Sequence, residues 1–295
     1  MTPRRSIALL VNPHAAGGRA LRLLGGVEAR LRALGLPFRT ERTDSLLHAC
    51  ELAREAAGQG QVPVTLSGDG LIGAVAGALR DVPGAVLGVL PGGRGNDFVR
   101  MAGIPLDAEA AVDVLAHGIA RPIDLGEAGG RTFIGVASVG FDSEANRIAN
   151  GAPPALGRLV YAYGALRALA AWEGARFTVE VDGERVEFEG WSVTAANSGF
   201  YGGGMRLAPH ARLDDGALDV VTLAECSRLG LLRLLGKVFR GTHVHEPAVS
   251  VRRGAEVRVS ADRAFTVYAD GDAIGSLPIT LRAVPAALHV LLPAA

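Results

Sequence analysis

Two short glycine-rich segments, each placed directly after an apolar run, constrain the fold of this chain most. Ser67-Gly68-Asp69-Gly70 follows the run 62–66, and Pro91-Gly92-Gly93-Arg94-Gly95-Asn96-Asp97 follows the run 85–90. Glycine lets backbone N–H groups approach phosphate oxygens, and a helix beginning behind the loop adds its positive end. Because open α/β sheets bind such ligands at the carboxyl ends of parallel strands, the segments predict a nucleotide polyphosphate site. Two incidental turns in a chain with 40 glycines are the alternative.

The N-terminal third alternates strand-like and helix-like segments. Apolar runs predict strands at 7–11, 37–40, 62–66 and 85–90, and helical spacing of apolar residues predicts helices at 19–34, 45–57 and 71–79. This alternation is typical of βαβ units with a parallel sheet.

The pattern changes from about residue 121 onward. Short alternating segments predict strands at 131–139, 177–181, 185–188, 192–196, 217–223, 256–260 and 265–269. Asp182-Gly183 has the signature of a tight hairpin turn. We therefore expect a mostly antiparallel β domain, interrupted by helices at 157–171 and 227–240.

Composition excludes several classes of protein. The formal net charge is zero, which gives no electrostatic basis for nucleic-acid binding. Lys237 is the only lysine and precedes Val238, so the chain has neither a Walker A loop nor a protein-kinase strand lysine. The two cysteines have no paired-motif spacing, and no apolar run approaches the roughly 20 residues of a spanning helix. We expect a cytoplasmic protein whose membrane contact, if it has one, is peripheral at the inner face.

One literal motif supports a different nucleotide. Gly68-Asp69-Gly70-Leu71-Ile72-Gly73 satisfies the dinucleotide-binding pattern between a predicted strand and a predicted helix. The acidic residue expected at the end of the next strand is missing, because that strand ends in Leu90-Pro91-Gly92. An NAD(P)-dependent oxidoreductase is therefore an alternative with weaker support.

Six motifs in order resemble those of the bacterial diacylglycerol-kinase-like lipid kinases, relatives of sphingosine and ceramide kinases. They are Asn12-Pro13 with Gly17-Gly18, Ser67-Gly68-Asp69-Gly70, Gly93-Arg94-Gly95-Asn96-Asp97, the run 197–205 (NSGFYGGGM), the run 209–216 (PHARLDDG) and Asp270-Gly271-Asp272. The resemblance covers essentially the whole chain.

This resemblance implies two domains with the active site in the cleft between them. Residues 1–121 would form a nucleotide domain similar to NAD kinases and phosphofructokinases, to which residues 284–295 return, and residues 122–283 would form a β-sandwich that takes the lipid. ATP with Mg²⁺ would phosphorylate a lipid hydroxyl, most often that of diacylglycerol, giving phosphatidic acid. A homodimer is left open.

The resemblance also assigns roles to residues. Asp270 would be the general base, and Asp215 would hold a Mg²⁺ together with the backbone carbonyls of Arg212 and Ala217. Asp69, which as a carboxylate cannot donate to phosphate, would act through Mg²⁺, water or the ribose, and Asp97 would join the Mg²⁺ network. The remaining nucleotide contacts would be Thr40, at the end of the predicted second strand, and Ser67, Gly68, Gly70, Leu71, Ile72, Gly73, Gly93, Arg94 and Asn96.

The chain departs from the family pattern at several positions. Where the family has Gly-Gly-Asp-Gly-Thr-x-Asn-Glu, this chain has Ser67, Leu71, Gly73 and Ala74 at the first, fifth, seventh and eighth positions. Arg94 replaces a threonine, and an arginine there could bind a phosphate directly by a charge-assisted bond. These changes leave a catalytically inactive lipid-binding or regulatory relative as a second alternative.

The segment 227–240 is expected to form a basic amphipathic helix. Arg233, Lys237 and Arg240 fall on one face, opposite Leu231, Leu234, Leu235 and Val238. Such a helix lies either on an anionic membrane surface or with its apolar face against the β domain.

Overall fold

The computed structural model describes residues 5–153, 160–172 and 174–294. Its first part is a parallel sheet of four strands in the order β4-β3-β1-β2. The strands are β1 (Ile7–Val11), β2 (Phe38–Arg42), β3 (Val62–Ser67) and β4 (Val86–Pro91), and the helices are α1 (Arg19–Ala33), α2 (Leu46–Gly58), α3 (Asp69–Leu79), α4 (Asp97–Met101) and α5 (Ala108–His117). The predicted βαβ alternation is confirmed.

Burial explains why these segments form a layered α/β structure. All five residues of β1 are buried, as expected for a strand covered on both faces. Helix α1 buries Ala20, Val27 and Leu31 on one face, and Ser45 caps α2 by accepting a hydrogen bond from the His48 N–H. Helix α3 begins at Asp69, two residues before the predicted start, so the first glycine-rich segment includes its first turn.

The second part is a C-terminal β-sandwich built mostly from antiparallel pairs. Its strands are β5 (Ile119–Ala128), β6 (Arg131–Phe133), β7 (Val136–Gly140), β8 (Ala175–Val181), β9 (Glu184–Ala196), β10 (Leu218–Ala224), β11 (Val249–Gly254), β12 (Glu256–Ala261), β13 (Thr266–Ala269), β14 (Asp272–Ser276) and β15 (Ile279–Leu292), and its helices are α6 (Phe141–Asn150), α7 (Val160–Ala171) and α8 (Arg228–Val238). Phe133, Phe177 and Val257 lie in its apolar core. The hairpin turn at Asp182-Gly183 is confirmed, since both residues have positive φ.

Three predictions in this part differ from the structure by more than one or two residues at an end. The segment 131–139 forms two strands, because Ile134 and Gly135 donate their N–H groups to the Asp270 carboxylate rather than to a neighbouring strand. The segments 185–188 and 192–196 belong to one strand, β9, whose irregularity at Gly190 appears as a register shift against β10. The helix predicted at 157–171 is observed from Val160, and residues 157–159 lie outside the described residues.

Strand β15 joins the two parts. It pairs antiparallel with β12 and β5, and near its end His289 and Val290 pair in parallel with Val86 and Leu87 of β4. The division of the chain into residues 1–121, 122–283 and 284–295 stays a prediction. Within the described ranges, no helix has the length and apolar character needed to cross a membrane.

Candidate active site

The N-termini of α1 and α3 lie at the carboxyl edge of the parallel sheet and have no side-chain cap. Helices α1 and α3 follow β1 and β3, and their N-cap residues are Gly18 and Gly68. By contrast, α2 is capped by Ser45 and α5 by Asp107. The first N–H groups of an uncapped helix have no intrahelical acceptor and carry the positive end of the helix dipole. This edge therefore offers donors to an anion such as a phosphate group.

The two glycine-rich loops contact each other through their backbones. A Cβ built on Gly68 would lie 3.2 Å from the Cα of Gly93, and a Cβ built on Gly93 would overlap the Cα of Gly68. The buried Asn96, with φ +52°, fixes the second loop from inside. Its Oδ1 accepts from the Gly93 N–H at 2.9 Å, and its Nδ2 donates to the Gly93 carbonyl at 3.3 Å.

Two carboxylates lie beside this contact. Asp69 Oδ1 accepts from the Phe98 N–H at 3.0 Å, and Asp97 Oδ2 accepts from the Gly203 N–H at 2.8 Å. A Cβ built on Gly95 would be 3.2 Å from Oδ2 of both aspartates, so only glycine leaves the space between them open. Asp97 Oδ1 is buried and has no hydrogen-bond partner among the described residues. Burial, with a smaller contribution from the Asp69 charge, raises the pKa of Asp97.

These two carboxylate groups suit a divalent cation that would be bound between the protein and a phosphate group. Carboxylate oxygens are the ligands that Mg²⁺ takes in nucleotide sites, usually one or two of them with the phosphates completing the set. The partnerless Asp97 Oδ1 and the Oδ2 of Asp69 are the oxygens available for it.

Asp270 lies at the boundary between the two parts of the chain. Its Oδ2 accepts from the Ile134 N–H at 2.8 Å, and its Oδ1 accepts from the N–H groups of Gly135 and Val136 at 2.9 and 3.2 Å. A Cβ on Gly73 of α3 would be 3.0 Å from Oδ2 of Asp270, so the carboxylate packs directly against α3. Gly73 stands at the seventh position of the motif, where asparagine was expected from the resemblance, and it faces Asp270.

The environment of Asp270 suits proton transfer near neutral pH. Desolvation, which the three backbone hydrogen bonds only partly offset, raises the pKa of Asp270 to about 6, and the Asp69 charge contributes to the rise. Asp270 and Gly271, with φ of +49° and +95°, also form the turn between β13 and β14. Asp270 is thus both a hairpin-turn residue and a half-buried carboxylate.

The predicted metal residue Asp215 is engaged by a guanidinium group. Its Oδ2 lies 3.2 Å from Arg253 Nη1, and its Oδ1 accepts from the Ala217 N–H at 3.2 Å, while the Arg212 side chain pairs with Asp214. In this structure the cation that Asp215 contacts is the Arg253 guanidinium. Within the described ranges, no group of three or more His, Cys, Asp or Glu side chains is arranged to hold one. The metal assignment at Asp215, Arg212 and Ala217 stays a prediction.

The remaining predicted nucleotide residues are placed differently from one another. Thr40 does not end β2, which continues to Arg42, and its hydroxyl donates to Glu28 Oε1 at 2.8 Å. Ser67, Leu71 and Ile72 are buried, and Gly70 and Arg94 are exposed at the loop surface.

Sequence reasoning missed Asp124, a buried residue of β5. Its Oδ2 accepts from the Gly216 N–H at 2.6 Å and its Oδ1 accepts from the Ala286 N–H at 2.8 Å. It thereby ties the acidic loop before β10 to the middle of β15. A lone carboxylate between Ile123 and Leu125 in an apolar stretch was the available signal.

An apolar cavity with a volume of about 90 Å³ lies beneath α8 and was also not predicted. Its polar side includes Asp142, whose Oδ2 accepts from the Thr194 hydroxyl at 3.3 Å and whose pKa is raised by burial. Tyr201 and Met205 line it too, and Gly203 between them donates to Asp97. One short loop therefore borders both the cavity and the glycine-rich loops.

Comparison with known proteins gives consistent matches over the whole chain. Residues 6–128 match the family model of the diacylglycerol kinase catalytic domain, and residues 135–292 match that of the YegS C-terminal NAD kinase beta sandwich-like domain. The chain is 34% identical to a diacylglycerol kinase of Mycobacterium tuberculosis (strain H37Rv), covering 97% of this chain and 95% of the relative. It is 32% identical to a protein of Pseudomonas fluorescens named a probable lipid kinase YegS-like, covering 99% and 97%.

The fold is shared with solved structures. A diacylglycerol kinase from Bacillus anthracis strain Sterne superposes with a TM-score of 0.78 at 20% sequence identity, covering 99% of this chain and 98% of that chain. The similarity in fold therefore extends over both parts of the molecule.

Proposed function

Since the chain belongs to the diacylglycerol kinase family and is an ATP-dependent lipid kinase, we propose that its substrate is diacylglycerol and its product phosphatidic acid. The observation that carries the proposal is the loop Tyr201–Met205, which lines the apolar cavity while its Gly203 binds Asp97 beside the glycine-rich loops. An acyl chain that enters beside this loop would place the polar end of the lipid near Asp97. The oxidoreductase and inactive-relative alternatives have no support in this family assignment.

The nucleotide would bind at the carboxyl edge of the parallel sheet. The uncapped N-termini of α1 and α3 offer N–H groups to the phosphates. Asp69 and Asp97 would hold the Mg²⁺ that neutralises the phosphate oxygens during transfer. Gly68 and Gly93 keep the backbone close to this position because neither carries a side chain.

Asp270 would act as the general base. As the lipid hydroxyl oxygen forms its bond to the γ-phosphorus, the bond from that phosphorus to the bridging oxygen of ADP breaks, and the hydroxyl proton passes to the Asp270 carboxylate. A carboxyl group with a pKa of about 6 is mostly ionised at neutral pH and is still basic enough to take this proton. The backbone N–H groups of Ile134, Gly135 and Val136 hold it in place throughout.

The substrate assignment is tested with purified protein, Mg-ATP and a panel of diacylglycerol, sphingosine, ceramide and phosphatidylglycerol. We expect diacylglycerol to give the highest kcat/KM, measured by the phosphorylated lipid formed. Faster turnover of any other lipid in the panel would contradict the assignment. Calorimetry with Mg-ATP and NAD⁺ should show binding of the first nucleotide only.

Arg94 is expected to contact a nucleotide phosphate. It is exposed on the second glycine-rich loop, with no protein partner that would hold it away from a ligand among the described residues. Arg94→Ala should weaken ATP binding by about 1.5–3 kcal/mol, the range for hydrogen bonds to charged groups, with lipid binding unchanged. The matched control is Arg185→Ala, which removes an exposed arginine of β9 in the β domain. If both variants bind ATP with equal affinity, Arg94 is a solvated loop residue that makes no contact with the phosphate.

A further inference from the structure

Helix α8 presents two separate apolar stripes. The inner stripe, Leu231, Leu234, Leu235 and Val238, lines the cavity. The outer stripe, Leu229 and Leu232 with Phe239 directly after the last helical residue, faces solvent, and these residues are 57%, 44% and 58% exposed. The inner stripe is explained by packing against the β domain, one of the two arrangements expected from the sequence. The outer stripe is not, because no described residue covers it.

Cationic side chains flank the outer stripe. Arg233 on the helix and Arg240 in the turn after it are exposed next to the stripe, and neither has an ion-pair partner among the described residues. Arg228 is exposed in the first turn, with its guanidinium 3.4 Å from the Ala170 carbonyl, and Lys237 forms an ion pair with Glu246. Because the whole chain has a formal net charge of zero, this basic surface is a local feature.

The position of α8 supplies the reason for such a surface. The helix separates the cavity from solvent, and a diacylglycerol substrate resides in a bilayer. An amphipathic helix with leucine and phenylalanine between arginines lies in the plane of a membrane interface, and basic residues strengthen its binding to anionic lipids.

We propose that the outer stripe of α8, with Arg233 and Arg240, is the surface on which this protein docks to an anionic bilayer. Docking there places the cavity next to the lipid phase. The proposal relies on the proposed function for the lipid nature of the substrate, but its binding test requires no turnover.

The test is co-sedimentation with vesicles of phosphatidylcholine alone and of phosphatidylcholine mixed with phosphatidylglycerol. The protein should bind the mixed vesicles, with affinity that falls as salt screens the arginines. The double variant Leu232→Glu/Phe239→Glu should bind at least about tenfold more weakly. Arg233→Gln/Arg240→Gln should lose the preference for phosphatidylglycerol. Leu47→Glu, which alters the 67% exposed leucine of α2, is the control and should bind as the wild type does.

Activity measurements on soluble and vesicle-bound substrate distinguish a loss of membrane docking from a loss of catalysis. On a short-chain diacylglycerol in solution, the Leu232→Glu/Phe239→Glu variant should keep wild-type kcat/KM, and on vesicles it should lose activity in step with its binding. Unchanged vesicle binding by this variant, or binding lost equally in Leu47→Glu, would overturn the proposal. A wild-type dimer that the variant converts to a monomer would also overturn it, by assigning the stripe to a second copy. If the short-chain substrate is not phosphorylated while vesicle binding behaves as expected, only the proposed function fails.

Discussion

Replacing Asp270 with asparagine is expected to lower kcat by about 10²- to 10⁴-fold, the usual contribution of a positioned general base. Asparagine cannot accept the hydroxyl proton, but it tolerates the left-handed backbone of this residue, φ +49°, as well as aspartate does. ATP affinity should therefore persist, which isothermal titration calorimetry measures directly.

Asparagine is not a silent replacement at this position. Three N–H groups point at the Asp270 carboxylate, and the amide nitrogen of the substituted side chain would face one donor with another. Some loss of stability is expected, so a lower kcat alone does not show whether Asp270 is the general base or only holds the structure. The pH profile does, because wild-type kcat/KM should rise through a pKa of about 6 and this limb should vanish in Asp270→Asn.

The exposed Asp272 at the start of β14 provides the control. Asp272→Asn should retain the acidic limb and lose little activity. Equal or reversed effects of the two substitutions would place the base on Asp272. An acidic limb that persists in Asp270→Asn would place it on another carboxylate, with Asp69 the first to test.

The same raised pKa affects folding. The ordinary pKa of an aspartate in an unfolded chain is about 3.9, so between about pH 4 and 6 the native protein binds the Asp270 proton more tightly than the unfolded chain does. The contribution of this group to the free energy of unfolding therefore decreases as pH rises across that window. Urea unfolding at several pH values should show this decrease in the free energy of unfolding for the wild type but not for Asp270→Asn.

Substituting Gly93 with alanine is expected to have the second large effect. Its Cβ would overlap the Cα of Gly68, which has no flexible side chain that could move aside. The two loops must separate, which displaces Gly68 at the N-terminus of α3 and disturbs the Asn96 hydrogen bonds to Gly93. We expect ATP affinity to fall at least about tenfold and stability to fall by about 1–3 kcal/mol, the typical cost of overpacking.

Gly25→Ala is the matched control for this prediction. Gly25 lies in the middle of α1, and a Cβ there would meet nothing within 4 Å. Alanine is a better helix former by about 1 kcal/mol, so stability should stay equal or rise and ATP affinity should not change. If Gly93→Ala binds ATP as Gly25→Ala does, the contact between the two loops is not part of the nucleotide site.

The sequence predicted those features that depend on short segments. Apolar runs located β1, β3 and β4, and the glycines behind them marked the edge where the uncapped helices begin. The Asp182-Gly183 turn was equally visible, since a positive φ favours this residue pair.

Features formed between distant segments were not predictable in this way. The bond from Gly203 to Asp97 joins residues 106 positions apart, and the bond from Gly135 to Asp270 spans 135 positions. No local pattern shows that residues 134 and 135 leave the strand to bind a carboxylate. At Thr40 the local pattern was itself misleading. It ended β2 at residue 40 although the strand continues to Arg42, and it gave no sign that the Thr40 hydroxyl donates to Glu28.

The pairing of β15 with β4 has a consequence for synthesis on the ribosome. β4 pairs with β3 on one side, and on the other it meets His289 and Val290, which are made only after the whole β domain. Until they emerge, the nascent N-terminal half carries an open sheet edge of the kind that recruits foreign strands. The half-made chain is therefore the species most exposed to aggregation, and this edge is covered only after β15 has been made.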